Sequence, residues 1–254
     1  MTAENRLVSI ITPAYNAARF IEQTIDSVRA QTYPHWEMWI ADDGSKDDTV
    51  ERVRRKCQED PRVRLVTLPG NSGPAHARNA ALERATGRFV AFLDSDDMWL
   101  PTKLERQLAH IERFQAPISF TAYRRVSQDG QTVGRLVEVP QSVTYSGLLK
   151  HNVIACLTAM VDTAKTGPIR MVAEGYDDFI LWLAILRKVG GRAFGLNEDL
   201  ARYRVVGGSV SHKPVRAAGW VWNIYRNVEK LSLPHALYVF GNYVVRVLLK
   251  KRRF

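Results

Sequence analysis

The stretch Phe89-Val90-Ala91-Phe92-Leu93-Asp94-Ser95-Asp96-Asp97 is apolar for five residues and then sets three carboxylates within four. The apolar half reads as a buried strand. A strand interior cannot hold the acidic half, because each unpaired buried charge costs several kcal/mol. The carboxylates therefore belong at a strand exit, facing something cationic. Asp-x-Asp offers hard oxygen ligands to Mg²⁺ or Mn²⁺ and leaves coordination positions open, which suits a metal that also holds a diphosphate. A competing reading makes Asp96 or Asp97 the cap of a helix predicted from Pro101 to Phe114. One carboxylate satisfies a cap, so that reading leaves Asp94 unexplained.

Upstream of this stretch the chain alternates strands and helices. Leu7 to Thr12 is a short apolar strand, followed by a turn at Pro13 and Asn16. Phe20, Ile21, Thr24, Ile25 and Val28 fall at helical spacing, and Trp36 to Ala41 predicts a second strand ending in Asp42-Asp43-Gly44-Ser45. A helix over 48–56, a strand over 63–68, a loop at Gly70 to Pro74 and a helix over 75–85 lead back to Phe89. This order predicts an α/β fold, a mostly parallel, Rossmann-like central sheet with helices on both faces. Ligands of such sheets gather at the carboxyl ends of the strands. Three of those ends here carry Pro13-Ala14-Tyr15-Asn16, Asp42-Asp43-Gly44-Ser45 and Asp94-Ser95-Asp96-Asp97. Neither Gly-x-Gly-x-x-Gly after the first strand nor a P-loop is present, which argues against a dinucleotide or P-loop nucleotide. Tyr15 offers a ring to stack on a base, Asp42 and Asp43 offer acceptors for a base N–H or a ribose hydroxyl, and the Asp cluster offers a metal site for phosphates. Those parts suit a nucleoside diphosphate.

With 254 residues, 46% hydrophobic and 24% charged, the chain is expected to be an ordinary globular protein. Its two cysteines, Cys57 and Cys156, are too few for a disulfide framework, and no signal peptide is recognised after Met1; both favour a reducing cytoplasm. Charge divides unevenly. Residues 1–98 hold 13 Lys and Arg against 15 Asp and Glu, whereas residues 99–254 hold 23 against 11, a net +12. Zinc-finger spacing, an RNP-like signature and a basic recognition helix are all missing, so nucleic acid is not the expected partner. Leu231 to Phe254 mixes apolar blocks with His235, Asn242 and Arg246 and ends Lys250-Lys251-Arg252-Arg253-Phe254. It is too interrupted for a membrane span. Two readings stand: an interfacial helix on an anionic membrane surface, or a helix packed on its own domain with a solvated basic tail.

Val8 to Asn16, Asp42 to Ser45, Gly73-Pro74-Ala75-His76-Ala77-Arg78-Asn79 and Asp94 to Asp97, in this order and spacing, resemble a family 2 glycosyltransferase of the A-type nucleotide-sugar-binding fold. The resemblance implies that Pro13, Tyr15 and Asp43 surround the uracil of a UDP-sugar, and that Asp94 lies near ribose or donor sugar. It implies Asp96 as the direct protein ligand of Mn²⁺ or Mg²⁺. Arg78 is placed near the nucleotide, or else pairs only with a carboxylate of the sheet edge. Packing of the Tyr15 ring into its turn, and an Asx-type turn before Gly44 made by Asp43, are the structural alternatives.

Glu174-Gly175-Tyr176-Asp177-Asp178 leads into Phe179-Ile180-Leu181-Trp182-Leu183, two acids before a helix apolar almost all round. This resembles the family's acid pair, with Asp178 as the general base and Asp177 as the competing candidate. Helix-start acids favoured by the macrodipole are the plainer explanation. Tyr203 to His212 resembles the segment that closes over the donor, with Arg204 and His212 as possible contacts or ordinary loop residues; Trp182 and Trp220 are candidates to stack on an acceptor sugar or to sit in the core. Tyr145 to Ile154 adds a resemblance to enzymes of bacterial surface polysaccharide synthesis. That subset implies a hexose moved from a UDP-sugar, UDP-glucose or UDP-galactose, to a saccharide on a polyprenyl diphosphate at the inner leaflet, with peripheral membrane association. The expected division is residues 1–98 for the nucleotide sugar, 99–212 for acceptor and base within the same domain, and 213–254 as a helical, basic membrane-association segment. A non-catalytic nucleotide-sugar-binding module and a basic membrane adaptor are the alternatives.

Overall fold

The computed structural model describes residues 6–206 and 214–251. Four parallel strands form its first half: β1 (Val8–Ala14), β2 (Trp36–Asp42), β3 (Val63–Thr67) and β4 (Phe89–Phe92), in the order β3-β2-β1-β4. They are joined by α1 (Ile21–Arg29), α2 (Thr49–Glu59) and α3 (Pro74–Leu82). Each lies within two or three residues of its predicted span. The period of two along a strand sends alternate side chains to opposite faces. Phe89, Ala91 and Leu93 join the core under α1 and α2, while Val90 and Phe92 join the other core with Ala75, Ala77 and Ala81 of α3. Both faces are therefore covered, and the strands read as near-continuous apolar runs for that reason.

Beyond β4 come β5 (Met98–Trp99), α4 (Lys103–Arg113), β6 (Ile118–Val126), β7 (Val133–Val137), β8 (Ser142–Thr144), α5 (Tyr145–Lys150), β9 (Met160–Asp162), α6 (Thr163–Thr166), α7 (Asp177–Val189) and β10 (Arg192–Arg204). The sheet continues β4-β9-β6-β10-β5. β9 runs antiparallel to both β4 and β6, while β10 is parallel to β6. Residues 118–204 thus extend the same sheet. Bulges shift the β10 register between Leu196 and Asp199 and again before Arg202, which bends the strand end toward the β4 exit.

A helical C-terminal appendage follows: α8 (Pro214–Asn223), a π-helical turn (Ile224–Val228) and α9 (Leu233–Lys251). Ala236 and Val239 of α9 are buried in the core that contains α5 and α7. Glu229 ties the appendage down. Its buried carboxylate accepts from Tyr145 Oη at 2.6 Å and from Arg187 Nη1 at 2.8 Å. The opposite face of α9 exposes Leu233, Leu237, Tyr238 and Val245. Among the described residues no helix is long and apolar enough to cross a membrane.

Candidate functional site

The loops after β1, β2 and β3 are laced together at the carboxyl edge of the sheet. Asp42 Oδ2 accepts from the N–H groups of Gly44 and Ser45, so the Asx-type turn belongs to Asp42 and not to Asp43. Asp43 reaches across instead: its two oxygens accept from Ser72 N at 2.9 Å and Gly73 N at 2.7 Å. Gly44 is required where these loops meet. Its φ is +76°, and a Cβ there would stand 2.8 Å from Gly70 Cα. Pro13 is buried in β1 opposite Ala41, and Tyr15 is 46% exposed.

The acidic exit of β4 is a braced turn. Asp97 N donates to Asp94 O at 3.1 Å, and Thr24 Oγ1 of α1 donates to Asp97 O at 2.8 Å. Arg204 N donates to Asp97 Oδ1 and Arg204 Nε donates to Asp96 O, both at 2.8 Å. The Arg204 guanidinium also donates to Gln128 O and Gln23 Oε1 and lies over the Phe20 ring. Arg204 is thus a brace of this turn, spent on neighbours rather than presented to a ligand. Neither carboxylate caps α4, whose N-cap is Thr102 and lacks a side-chain cap bond.

Burial and the neighbouring Asp94 push the Asp96 carboxyl up to about 6. Buried Asp97 is pushed up as well, by burial and then by Asp96 and Asp94, and its Oδ2 has no hydrogen-bond partner. The turn holds more negative charge than its cations compensate. Among the described residues no three His, Cys, Asp or Glu side chains form a ready cage for a metal. A Mg²⁺-like ion held by one or two carboxylates, with water and a diphosphate supplying the rest, needs no such cage, and Asp96 with Asp94 beside it fits that requirement.

A cavity of about 1260 Å³ opens at this edge and is lined by Asp94, Arg78, Asp177 and Asp178 among others. It brings these four together with Trp220, all singled out in the sequence; Pro13, Tyr15, Asp43 and Asp96 are not in its lining. The strand-loop residues connect to it through Ser72 and Gly73, which line it and are held by Asp43. Arg78, buried on α3, donates from Nη2 to Asp94 Oδ1 at 2.5 Å. Burial opposes its charge, and Asp94 more than offsets this, keeping the guanidinium firmly protonated. Arg78 thus pairs with a sheet-edge carboxylate and lines the cavity as well.

Asp177 and Asp178 open α7, where the helix dipole favours acids. Asp178 is half-buried, with one face toward the cavity. Burial pushes its carboxyl up to about 6, with Arg78 opposing and Asp94 and Asp177 adding to the rise. Burial also raises Asp177. Sequence reasoning missed Asn79, although it lay in a quoted motif. Its side chain clasps the loop that delivers Asp177: Nδ2 donates to Met171 O at 2.9 Å and Met171 N donates to Oδ1 at 2.8 Å. Further along that loop, Gly175 has φ +105°, and a Cβ there would meet the Trp220 ring at 2.7 Å. Trp220 lines the cavity, edge-on to Tyr176, whereas Trp182 is a core residue packed edge-on against Phe92. Gly207 to His212 lie outside the described residues.

Residues 9–161 match the model of the family described as glycosyl transferase family 2. The chain belongs to this family. It is 44% identical to the putative teichuronic acid biosynthesis glycosyltransferase TuaG of Bacillus subtilis, over 99% of this chain and 100% of the relative. It is 35% identical to UDP-Glc:alpha-D-GlcNAc-diphosphoundecaprenol beta-1,3-glucosyltransferase WfgD of Escherichia coli, over 99% and 97% of the two chains. Its fold is similar to that of S. aureus TarS in complex with UDP-GlcNAc, with a TM-score of 0.72 at 21% identity over 94% of this chain and 71% of that one. The mannosyltransferase of Pyrobaculum calidifontis in complex with GDP-Man and Mn²⁺ superposes with a TM-score of 0.69 at 21% identity, covering 93% and 68%. This family 2 glycosyltransferase thus counts among its relatives a putative teichuronic acid biosynthesis enzyme and a glucosyltransferase of a diphosphoundecaprenol-linked sugar, and its sheet and helices are those of an A-type glycosyltransferase.

Proposed function

We propose that the protein moves a hexose, glucose or galactose, from its UDP conjugate to a saccharide carried on a polyprenyl diphosphate, with inversion at the anomeric carbon. The observation that carries this reading is one cavity lined both by the strand-end Asp94 with its Arg78 and by the Asp177–Asp178 helix start. The first group belongs to residues 1–98, which would bind the donor; the second to residues 99–212, which would bring acceptor and base. Tyr15 is exposed for stacking on uracil, with Pro13 and the Asp43-held loop beside it.

Asp178 takes the proton of the acceptor hydroxyl as that oxygen attacks the anomeric carbon. The bond from that carbon to the diphosphate oxygen breaks, and UDP leaves with the electron pair. A carboxylate displaced upward to about 6 is better matched to this task than an ordinary aspartate. Asp177, its neighbour, adds a second negative charge at the positive end of the helix dipole. When bound at Asp96, Mn²⁺ or Mg²⁺ supplies neutralisation of the diphosphate and of the charge developing on UDP. Arg78 holds Asp94 in place and moderates the charge around Asp178.

The relatives' lipid-diphosphate acceptors support a peripheral position on the anionic inner face of the plasma membrane. The exposed Leu233, Leu237, Tyr238 and Val245 face of α9 and the net +12 of residues 99–254 suit such a surface. The two readings of the C-terminus combine: one face of α9 packs on the domain and the other is left for lipid. Arg252 to Phe254 lie outside the described residues.

The test is UDP release from a panel of UDP-sugars with a synthetic lipid-diphosphate-linked N-acetylglucosamine, with and without Mn²⁺. Acceptor-stimulated, metal-dependent release that disappears in Asp96→Asn and Asp178→Asn is expected, with UDP binding surviving the second change. UDP binding without turnover on any donor would leave only a nucleotide-sugar-binding module.

A further inference from the structure

A second, smaller cavity of about 280 Å³ adjoins the main one, and Glu138, His151 and Asn152 stand in its wall. It shares Asp178, Tyr123, Tyr176 and Ala155 with the main cavity, whereas Asp94, Arg78 and Asp177 line the main cavity alone. Asp178 is thus the one carboxylate of the site, among the described residues, that borders both spaces.

A single displacement fixes what each space can hold. The attacking oxygen must approach the anomeric carbon opposite the departing diphosphate, and the base must touch that oxygen. The diphosphate belongs at the Asp94–Asp96 end, where a divalent cation on Asp96 would hold it. The acceptor hydroxyl therefore reaches Asp178 from the side away from Asp94, and the small cavity borders Asp178 without being lined by Asp94 or Arg78. Its volume is at the small end for ligand pockets and suits one sugar ring, while the main cavity has room for a nucleotide sugar.

We propose that the small cavity is the acceptor subsite, holding the single pyranose that is glycosylated, with Glu138 and His151 reading its hydroxyl or acetamido groups. This rests on the transferase reading above and deepens it. Asn152 shapes the wall: its Oδ1 accepts from Ile154 N at 3.1 Å and turns the chain. His151 ends α5, and its neighbour Lys150 places Nζ 5.2 Å from the centroid of the Tyr238 ring on α9. The wall of the sugar pocket is therefore continuous with the helix whose outer face is apolar. A diphosphate attached to the bound sugar finds the Lys150 ammonium on that side, and its lipid tail finds the α9 face.

The experiment uses the full chain, a turning-over UDP-sugar and short-lipid diphosphate N-acetylglucosamine. Glu138→Gln and His151→Ala should each raise the acceptor KM about tenfold, as loss of a polar contact to a substrate does, while donor KM and UDP affinity stay within about twofold. An acceptor KM unmoved in both variants, or a donor KM rising in step, overturns the assignment. If the wild type makes no product with any donor, the transferase reading fails for this acceptor, and binding still decides the subsite. Saturation-transfer NMR with methyl N-acetylglucosaminide and UDP should then show sugar contact in the wild type that is lost in His151→Ala. Equal contact in both proteins, or none in the wild type, overturns it.

Discussion

Arg78 Nη2 stands 2.5 Å from Asp94 Oδ1, joining α3 to the exit of β4 at the floor of the cavity. The same guanidinium opposes the upward shifts of Asp177 and Asp178. It is the buried charge on which the acidic site depends.

Arg78→Met should therefore destabilise the fold by about 1–3 kcal/mol, the scale of a hydrogen bond to a charged group, because Asp94 keeps 31% of its side chain exposed to water. Asp94→Asn placed in that background should recover part of the loss, because the orphaned charge goes with it. Urea unfolding of the two single variants and the double variant measures the coupling. Strictly additive losses would mean that the pair does not interact in solution.

The clasp of Asn79 on Met171 makes a second, separable claim. Asn79→Ala leaves a buried N–H and a buried C=O unpaired, about 1–3 kcal/mol each. The segment released is the one that leads into Asp177, so kcat should fall while UDP affinity, set by the opposite strand ends, stays near the wild-type value. Stopped turnover assays and UDP titration separate the two. A matching loss of UDP affinity would show that the clasp serves the whole site instead.

The sheet was legible because buried parallel strands must be apolar and their ends must not be. Phe89 to Leu93 and Trp36 to Ala41 show both properties without help from the rest of the chain. The Asp cluster and the acid pair before α7 were visible because acids next to apolar runs require an explanation. Other features depend on distant partners. Asn79 has no local reason to be recognised, since its partner Met171 is 92 residues away. Arg204 reads as a loop cation until the β10 bulges deliver it to the Asp96–Asp97 turn. The exchange of roles between Asp42 and Asp43 is equally hidden, because each side chain's choice depends on where the 70–73 loop comes to rest.

Asp178 carries a pH prediction of definite sign. Acting as a base, it must be ionised, so kcat/KM for transfer should fall tenfold per pH unit below about 6. Stability should move the other way. A carboxyl whose folded pKa lies above its unfolded value binds protons preferentially in the folded state, so its contribution is present below about pH 4 and is lost as pH rises through about 6. Asp178→Asn should accordingly be inactive yet resist urea better than the wild type at pH 7, with the difference gone at pH 4. A wild type as stable as the variant at pH 7 would show that the carboxylate is not desolvated.

The two faces of α9 separate folding from surface binding. Ala236 and Val239 are buried, and Glu229 anchors the start of the helix through Tyr145 and Arg187, so the fold does not need the outer face. Leu237 and Tyr238, neighbours on that face, are 55% and 57% exposed. Leu237→Glu with Tyr238→Glu removes two apolar anchors and adds two charges repelled by anionic lipid. The expected loss of affinity for vesicles rich in phosphatidylglycerol is about 2 kcal/mol or more, roughly thirtyfold, with the melting temperature and UDP affinity little changed. Flotation of the variant and the wild type at matched ionic strength measures it. Undiminished vesicle binding would assign the membrane contact to another part of the basic second half, whereas a collapse in melting temperature would make the outer face part of the fold.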